Sequence, residues 1–258
     1  MSFSDHFSGV SPAYAEFRPG YPKELFDWLA GLPPRRDLAW DCGTGSGQAA
    51  VALASRFDRV IATDASAGQI AAASPHQRVD YRVASAQASG IESGSVDLVA
   101  VAQALHWFDT SAFFAEARRV LRPDGAIAAW TYGNPRVDDP RADEILWRFT
   151  TGTIGPWWPP ERELVDSGYR TIDFPFAEVE APGFEMEARW TLPELLGYIG
   201  TWSGVARFRA ARGGDPDPLE ELAKALDPAW GAPRSHRRIM WPLAVRAGRR
   251  KRFQEVSP

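Results

Sequence analysis

Hydrophobic and polar positions along the first half of the chain fall into two kinds of block. Strand-length blocks of five to seven residues occupy 38–42, 59–64, 79–84, 96–102 and 126–131. They read as strands, 59–64 being a run of the buried type. Between them lie stretches with helical spacing. Residues 47–56 are alanine-rich, and residues 66–73 open on Ser66 as an N-cap and close before Pro75. Residues 111–121 put Phe113, Phe114, Ala117, Val120 and Leu121 inward and Glu116, Arg118 and Arg119 on the outward arc. Pro123-Asp124-Gly125 turns the chain into the fifth run. Upstream, residues 1–21 form an aromatic and polar approach segment, and a helix over 23–30 starts just after Pro22 and stops at Gly31-Leu32-Pro33-Pro34.

Strands alternating with helices over 38–131 specify a parallel sheet with helices on both faces. Right-handed crossovers bring the strand-to-helix loops to one edge, where ligands of such sheets bind. Asp41 to Gly47, Asp64, Ser85 to Gln87 and Gln103 to Trp107 therefore surround one crevice. The alternation then stops. Residues 134–181 are rich in proline and tryptophan, with a helix near 141–150. A half-wet strand follows at 184–190, then helices at 192–202 and 219–226 around a turn-rich linker at 213–218. A strand at 236–246 precedes the basic tail Arg249-Arg250-Lys251-Arg252, which reads as a solvated terminus. The division this implies is a core with its N-terminal approach segment over 1–133, and cap insertions (134–181 and 191–235) plus the last two strands over 134–258.

Composition narrows the class without changing this picture. The 258 residues are 45% hydrophobic and 24% charged, with a net charge of −4, so no basic field calls for nucleic acid or an anionic membrane. Cys42 is the single cysteine; it reads as a buried strand residue and leaves no disulfide or cysteine-rich metal site. No apolar run approaches membrane-spanning length, and the first residues lack a signal-peptide pattern. The expectation is a cytoplasmic protein with no nucleic-acid or membrane partner and no metal.

The chemistry concentrates in Asp41-Cys42-Gly43-Thr44-Gly45-Ser46-Gly47. Strand, glycine turn and helix make half of a nucleotide-binding βαβ unit, and the glycines let a ligand approach the backbone. The turn alone does not name the ligand. Gly45-Ser46-Gly47-Gln48-Ala49-Ala50 satisfies the alanine form of the dinucleotide fingerprint, with Asp64 nineteen positions beyond Gly45. Asp64 would meet ribose hydroxyls under either reading. Asp41 discriminates: an acid at the strand end opposes a pyrophosphate and suits a cation. S-adenosylmethionine carries an ammonium and a sulfonium and no phosphate.

These residues resemble the first motif of class I S-adenosylmethionine-dependent methyltransferases. Thr63-Asp64-Ala65-Ser66 and Ala84-Ser85-Ala86-Gln87 resemble the second and third motifs. Ser95-Val96-Asp97-Leu98-Val99 and Arg119-Val120-Leu121-Arg122-Pro123-Asp124-Gly125 resemble the fourth- and fifth-strand signatures. The likeness departs at Pro123-Asp124-Gly125, where the family usually has a second glycine. Tyr14 to Pro22, Gln103-Ala104-Leu105-His106-Trp107-Phe108 and Thr201-Trp202-Ser203 resemble the branch with trans-aconitate methyltransferase-like proteins.

The resemblance implies a Rossmann-like α/β fold: seven strands, mainly parallel with the last antiparallel, plus helical cap insertions. It implies that Gly43, Gly45, Gly47 and the loop backbone hold the methionine moiety, with Asp41 near its amino end. Asp64 takes the ribose, Ala65, Ala86 and Gln87 line the adenine, and Gln103 lies near the methionine or the methyl group. Tyr14 and Arg18 belong to a segment that closes over the cofactor, and Arg18 also suits a substrate carboxylate. His106 is the candidate to take a proton from a substrate hydroxyl or amine. Trp107, Trp157 and Trp202 are candidate pocket walls, with Trp158 beside them.

Each has a plainer reading. Asp41 caps the following turn, Tyr14 packs on the sheet edge, Arg18 pairs with Glu16 or Glu24, and His106 is a loop histidine bonded to backbone. Ala65 and Ala86 pack in the core, Gln87 is a solvated side chain, and the tryptophans build the cap's own core. The expected activity is transfer of a methyl group to a small molecule, with small organic acids as the first class, leaving S-adenosylhomocysteine. A nicotinamide-dependent reductase and a non-catalytic S-adenosylmethionine-binding partner protein are the alternatives.

Overall fold

The computed structural model describes residues 19–213, 216–232 and 234–250. After helix α1 (Lys23–Gly31), the chain runs β1 (Leu38–Cys42), α2 (Gln48–Ala54), β2 (Arg59–Asp64), α3 (Ala67–Ala72), β3 (Val79–Val83), β4 (Val96–Ala102), α4 (Thr110–Val120) and β5 (Leu121–Tyr132). It continues with β6 (Arg136–Val137), α5 (Pro140–Arg148), α6 (Arg162–Asp166), β7 (Ala177–Val179) and β8 (Phe184–Trp190). Helices α7 (Leu192–Gly200), α8 (Ser203–Ala211) and α9 (Pro218–Trp230) precede the final strand, β9 (Arg237–Arg249).

One sheet takes all nine strands in the order β3-β2-β1-β4-β5-β9-β6, with β7 and β8 also pairing β9. Strands β5 and β6 lie end to end along one edge of β9, and β7 and β8 share the other. The sheet is therefore seven strand positions wide, as expected. Strands β1 to β5 are mutually parallel, and β9 runs antiparallel to both neighbours.

Alternation along the strands builds a different core on each face. Trp40, Cys42, Val99, Val101, Ile127 and Ala129 point to the side of α4, where Phe113 and Phe114 meet them. Ala39, Leu98, Ala100, Ala126 and Ala128 point to the side of α1 and α2. Alanines on that face let the helices sit close to the sheet. A third cluster joins Tyr132, at the carboxyl end of β5, and Val137 of β6 to Leu146, Leu195, Leu226, Trp230 and Trp241 of the cap and β9. The cap thus stands over the sheet edge that carries the glycine turn. Among the described residues no helix is long and apolar enough to cross a membrane.

Some expectations fail for local reasons. Glu116, assigned outward, is buried. Its carboxylate accepts from Ser89 N–H (2.9 Å) and Oγ (2.6 Å) and pairs with Arg119 at 2.7 Å, which holds its pKa down to about 2. The 85–91 loop covers this side of α4, which helix spacing cannot reveal. Strand β5 starts at Leu121, and Pro123-Asp124-Gly125 lies inside it across a register shift opposite Val96/Leu98. A side chain on Gly125 would meet the Asp97 and Arg122 carbonyls at 3.1 Å, so this glycine serves strand packing. Helices α6 and α8 and the short strands β6 and β7 were not expected.

Candidate active site

The glycine turn is built by close contact. Gly43, Gly45 and Gly47 all have positive φ. A Cβ on Gly43 would stand 2.7 Å from Ala104 Cβ, and one on Gly47 would run into the Tyr81 hydroxyl and ring. The turn is thereby locked between β3 and the loop after β4. The Gly43 and Thr44 N–H groups donate to the Thr63 carbonyl at 2.8 and 3.0 Å. Asp64 accepts from Gly45 N–H at Oδ2 and from Ser66 N–H at Oδ1, both at 2.9 Å, so it sits against the turn.

Asp41 is sealed from solvent. Its Oδ2 accepts from Thr44 Oγ1 at 2.6 Å, while Oδ1 is buried with no partner among the described residues. Burial pushes its pKa up to about 7, the Thr44 hydroxyl and then the Ala50 N–H pull it down in part, and the Asp64 charge adds to the rise. The acid therefore acts from beneath the turn and does not stand open on the crevice. An unpartnered buried carboxylate oxygen is stabilised by a cation and destabilised by a phosphate. Together with the room beside Gly45, where a Cβ would have only Gln69 Oε1 within 4 Å, at 3.7 Å, this fits a phosphate-free, cationic ligand such as S-adenosylmethionine.

The other expected cofactor residues are brought to the same edge with unequal roles. Ala65 follows Asp64 and is half-buried, Ala86 packs partly into the α4-side core, and Gln87 is exposed. Gln103 carries a positive φ of +52° and braces two strand ends. Its Oε1 accepts from Thr131 Oγ1 (2.7 Å) and Tyr132 N–H (2.9 Å), and its Nε2 donates to the Tyr132 carbonyl (3.2 Å). Both ends of the amide are thus engaged with β5. Tyr14 and Arg18 lie outside the described residues; the first described stretch is tied to the turn through Gln48 Nε2, which donates to the Pro19 carbonyl at 3.2 Å.

On the cap side, His106 Nδ1 lies 2.9 Å from the Tyr169 hydroxyl, so its partner is a side chain where a backbone group was the plainer expectation. Its ring stacks on Tyr169 at 6.0 Å and leans on Trp107 at 4.9 Å. Burial, reinforced by the Arg162 cation, pushes its pKa down to about 4. Arg162 Nε pairs with Asp166 (2.7 Å) and Nη2 donates to Asn134 Oδ1 (2.6 Å). Its guanidinium lies 4.4 Å over the Trp158 ring, and Trp158 packs on Trp202 at 5.5 Å. Trp157 packs edge-on against Phe208 of α8 at 5.6 Å.

Tyr81, Asn134, Arg162 and Tyr169 escaped the sequence reading, which took Thr44 only as part of the glycine turn. Only the i,i+4 spacing of Arg162 and Asp166 left a trace there. Tyr169 left none, because a turn in the cap delivers it.

The comparisons agree with this geometry. A family model described as a methyltransferase domain matches residues 40–129. A protein of Dictyostelium discoideum described as a methyltransferase is 37% identical over 227 residues, which cover 87% of this chain and 86% of that protein. A Mycobacterium tuberculosis methyltransferase is 36% identical over 195 residues, 74% of this chain and 71% of its own. Among solved structures, one described as a type II methyltransferase from Anaeromyxobacter dehalogenans is 51% identical with a TM-score of 0.85, covering 90% of this chain and 97% of that one. These relatives and the glycine turn lead to one assignment, and the reductase alternative falls away: the chain belongs to the class I S-adenosylmethionine-dependent methyltransferases.

Proposed function

We propose that this methyltransferase binds S-adenosylmethionine on the glycine turn and methylates a small organic acid held between the β4 and β5 loops and the cap. S-adenosylmethionine, when bound, supplies a methyl group activated by a positively charged sulfur. Gly43, Gly45 and Gly47 give it backbone contact, and Asp41 supplies negative potential from below. Asp64 accepts from the ribose, and Ala65, Ala86 and Gln87 flank the base. Tyr14 and Arg18 close over it, and Gln103 keeps the β4 and β5 ends in register beside it.

The acceptor class rests on Arg162. Its Nε and Nη2 are engaged, and Nη1 has no hydrogen-bond partner among the described residues. A guanidinium fixed over an indole face, next to His106 and Trp107, is matched by a carboxylate. Carboxylic acids are ionised at neutral pH, so such a nucleophile needs no base. A histidine whose pKa lies at about 4 is consistent with that. The protein's part is then orientation and exclusion of water, with Trp107, Trp158 and Trp202 as apolar walls.

The deciding experiment follows the fluorescence of the eleven tryptophans during titration with S-adenosylhomocysteine and with NADH, then assays methyl transfer to a panel of small carboxylic acids, phenols and amines. Saturable quenching by S-adenosylhomocysteine and turnover of the acids is expected. Arg162→Met should raise KM for the acids by about tenfold. Transfer confined to amines or phenols overturns the acceptor assignment.

A further inference from the structure

Tyr169 adopts a backbone conformation that sterics oppose for any residue with a Cβ. Its φ is +62°, directly after Gly168 at +60°. Helix α6 closes here through Gly168 N–H to the Val165 carbonyl and Tyr169 N–H to the Leu164 carbonyl, both 2.9 Å. One left-handed residue completes such a closure, so the second has another cause. Arg246 of β9 secures it by donating to the carbonyls of Tyr169 (2.9 Å) and Ile172 (2.6 Å). The result is a fully buried phenol directed at His106 Nδ1. Strain held in place by a second element points to a positional role.

The surroundings of the phenol oxygen set the direction of the bond. Among the described residues the hydrogen bond of the phenol oxygen is to His106 Nδ1, and the Thr131 hydroxyl gives its own proton to Gln103 Oε1 at 2.7 Å. The phenol oxygen is fully buried, and a proton left there without an acceptor is costly. Its proton, however, has the Nδ1 lone pair 2.9 Å away. A neutral imidazole carries one N–H and one lone pair. We propose that Tyr169 is the positioning residue of His106: its hydroxyl donates to Nδ1, which fixes the tautomer protonated at Nε2 and presents that N–H to the methyl acceptor. Nε2 makes no hydrogen bond to a described residue and is not sealed in the interior. An N–H there holds a negatively charged oxygen beside Arg162 and cannot remove a proton. This deepens the organic-acid reading and rests on it only for the identity of what Nε2 meets. The competing acceptor for the phenol proton is the Thr131 oxygen, and that choice would give the opposite tautomer.

The four histidines make 15N-histidine labelling decisive. Long-range proton–nitrogen spectra of the unliganded protein between pH 6 and 8, with His106 assigned by its loss in H106Q, read the tautomer directly. Nε2 should be pyrrole-type and Nδ1 pyridine-type, with no titration above about pH 5. In Y169F, which keeps the ring stack, both nitrogens should move toward averaged values, and KM for the acceptor should rise severalfold with little change in kcat. A pyridine-type Nε2 in the wild type, or His106 shifts unchanged in Y169F, overturns the proposal. The wild-type spectrum decides even if Y169F does not fold. It needs neither cofactor nor acceptor, so the tautomer it reads stands even where a methylation assay fails.

Discussion

Asp41 pulls in two directions, because the carboxylate that favours a cationic ligand is a burden to the empty fold. Its pKa rises from the ordinary value of 3.8 to about 7 inside the protein. Below the lower value the carboxyl is neutral in both folded and unfolded chains. Between the two values the unfolded chain ionises first, and stability falls as pH rises until the folded group ionises as well. The shift corresponds to about 4 kcal/mol at most. Asp41→Asn keeps an acceptor for Thr44 and removes the charge, but it leaves an amide N–H to satisfy, worth about 1–3 kcal/mol. The unliganded variant should therefore resist guanidinium better than wild type at pH 8, by about 1–3 kcal/mol, and lose that advantage by about pH 5. Its S-adenosylhomocysteine affinity should drop. A stability gap that does not narrow on acidification would mean that Asp41 is already charged in the fold. At this scale the sequence was readable wherever a role is local: Asp41, Gly43, Gly47 and Asp64 all lie within or beside the turn they serve. Arg162 and Tyr169 were opaque, since their neighbours come from β4, β5 and β9.

Between elements, the glycine turn is gripped by β3. Tyr81 covers Gly47 and donates to the Ser74 carbonyl at 2.8 Å, and Ser74 N–H returns to the Ser46 carbonyl at 3.3 Å. Gly47→Ala forces a Cβ into that ring at a φ of +86° and should cost about 1–3 kcal/mol in chemical denaturation. Tyr81→Leu clears the hydroxyl and much of the ring. If the contact carries the cost, the double variant should be more stable than the sum of the singles by about 0.5 kcal/mol or more; additive losses would assign the cost to backbone strain alone. The same scale explains which elements were legible. The runs at 38–42, 59–64 and 96–102 coincide with β1, β2 and β4 because a strand buried on both faces announces itself in any window. Helix α6, five residues long, spans too little chain to display a period, and α8 buries only Gly204 and Val205.

For the whole molecule, the question is whether the division at residue 133 separates folding units or only roles. The last strand answers through its pairing. Strand β9 sits between β5 and β8, joined to β5 over seven residue pairs from Ala126↔Arg249 to Tyr132↔Leu243 and to β8 over seven more from Phe184↔Leu243 to Trp190↔Arg237. Ala247 closes the core around Ala126, Ala128 and Trp130, with Leu243 and Val245 against it. A chain ending at 133 would expose β5 as a long apolar edge and uncover the indole of Trp130, a template for aggregation. We therefore expect the fragment 1–133 to be insoluble or to melt without a cooperative transition. Co-expression with 134–258 should return a soluble complex with the far-ultraviolet spectrum of the intact protein. The intact protein should unfold in one transition by tryptophan fluorescence and by circular dichroism, because the cap is rooted in the same strand that completes the core. A fragment 1–133 that stays monomeric and melts cooperatively would make the N-terminal half a domain in its own right, with the cap as an appendage.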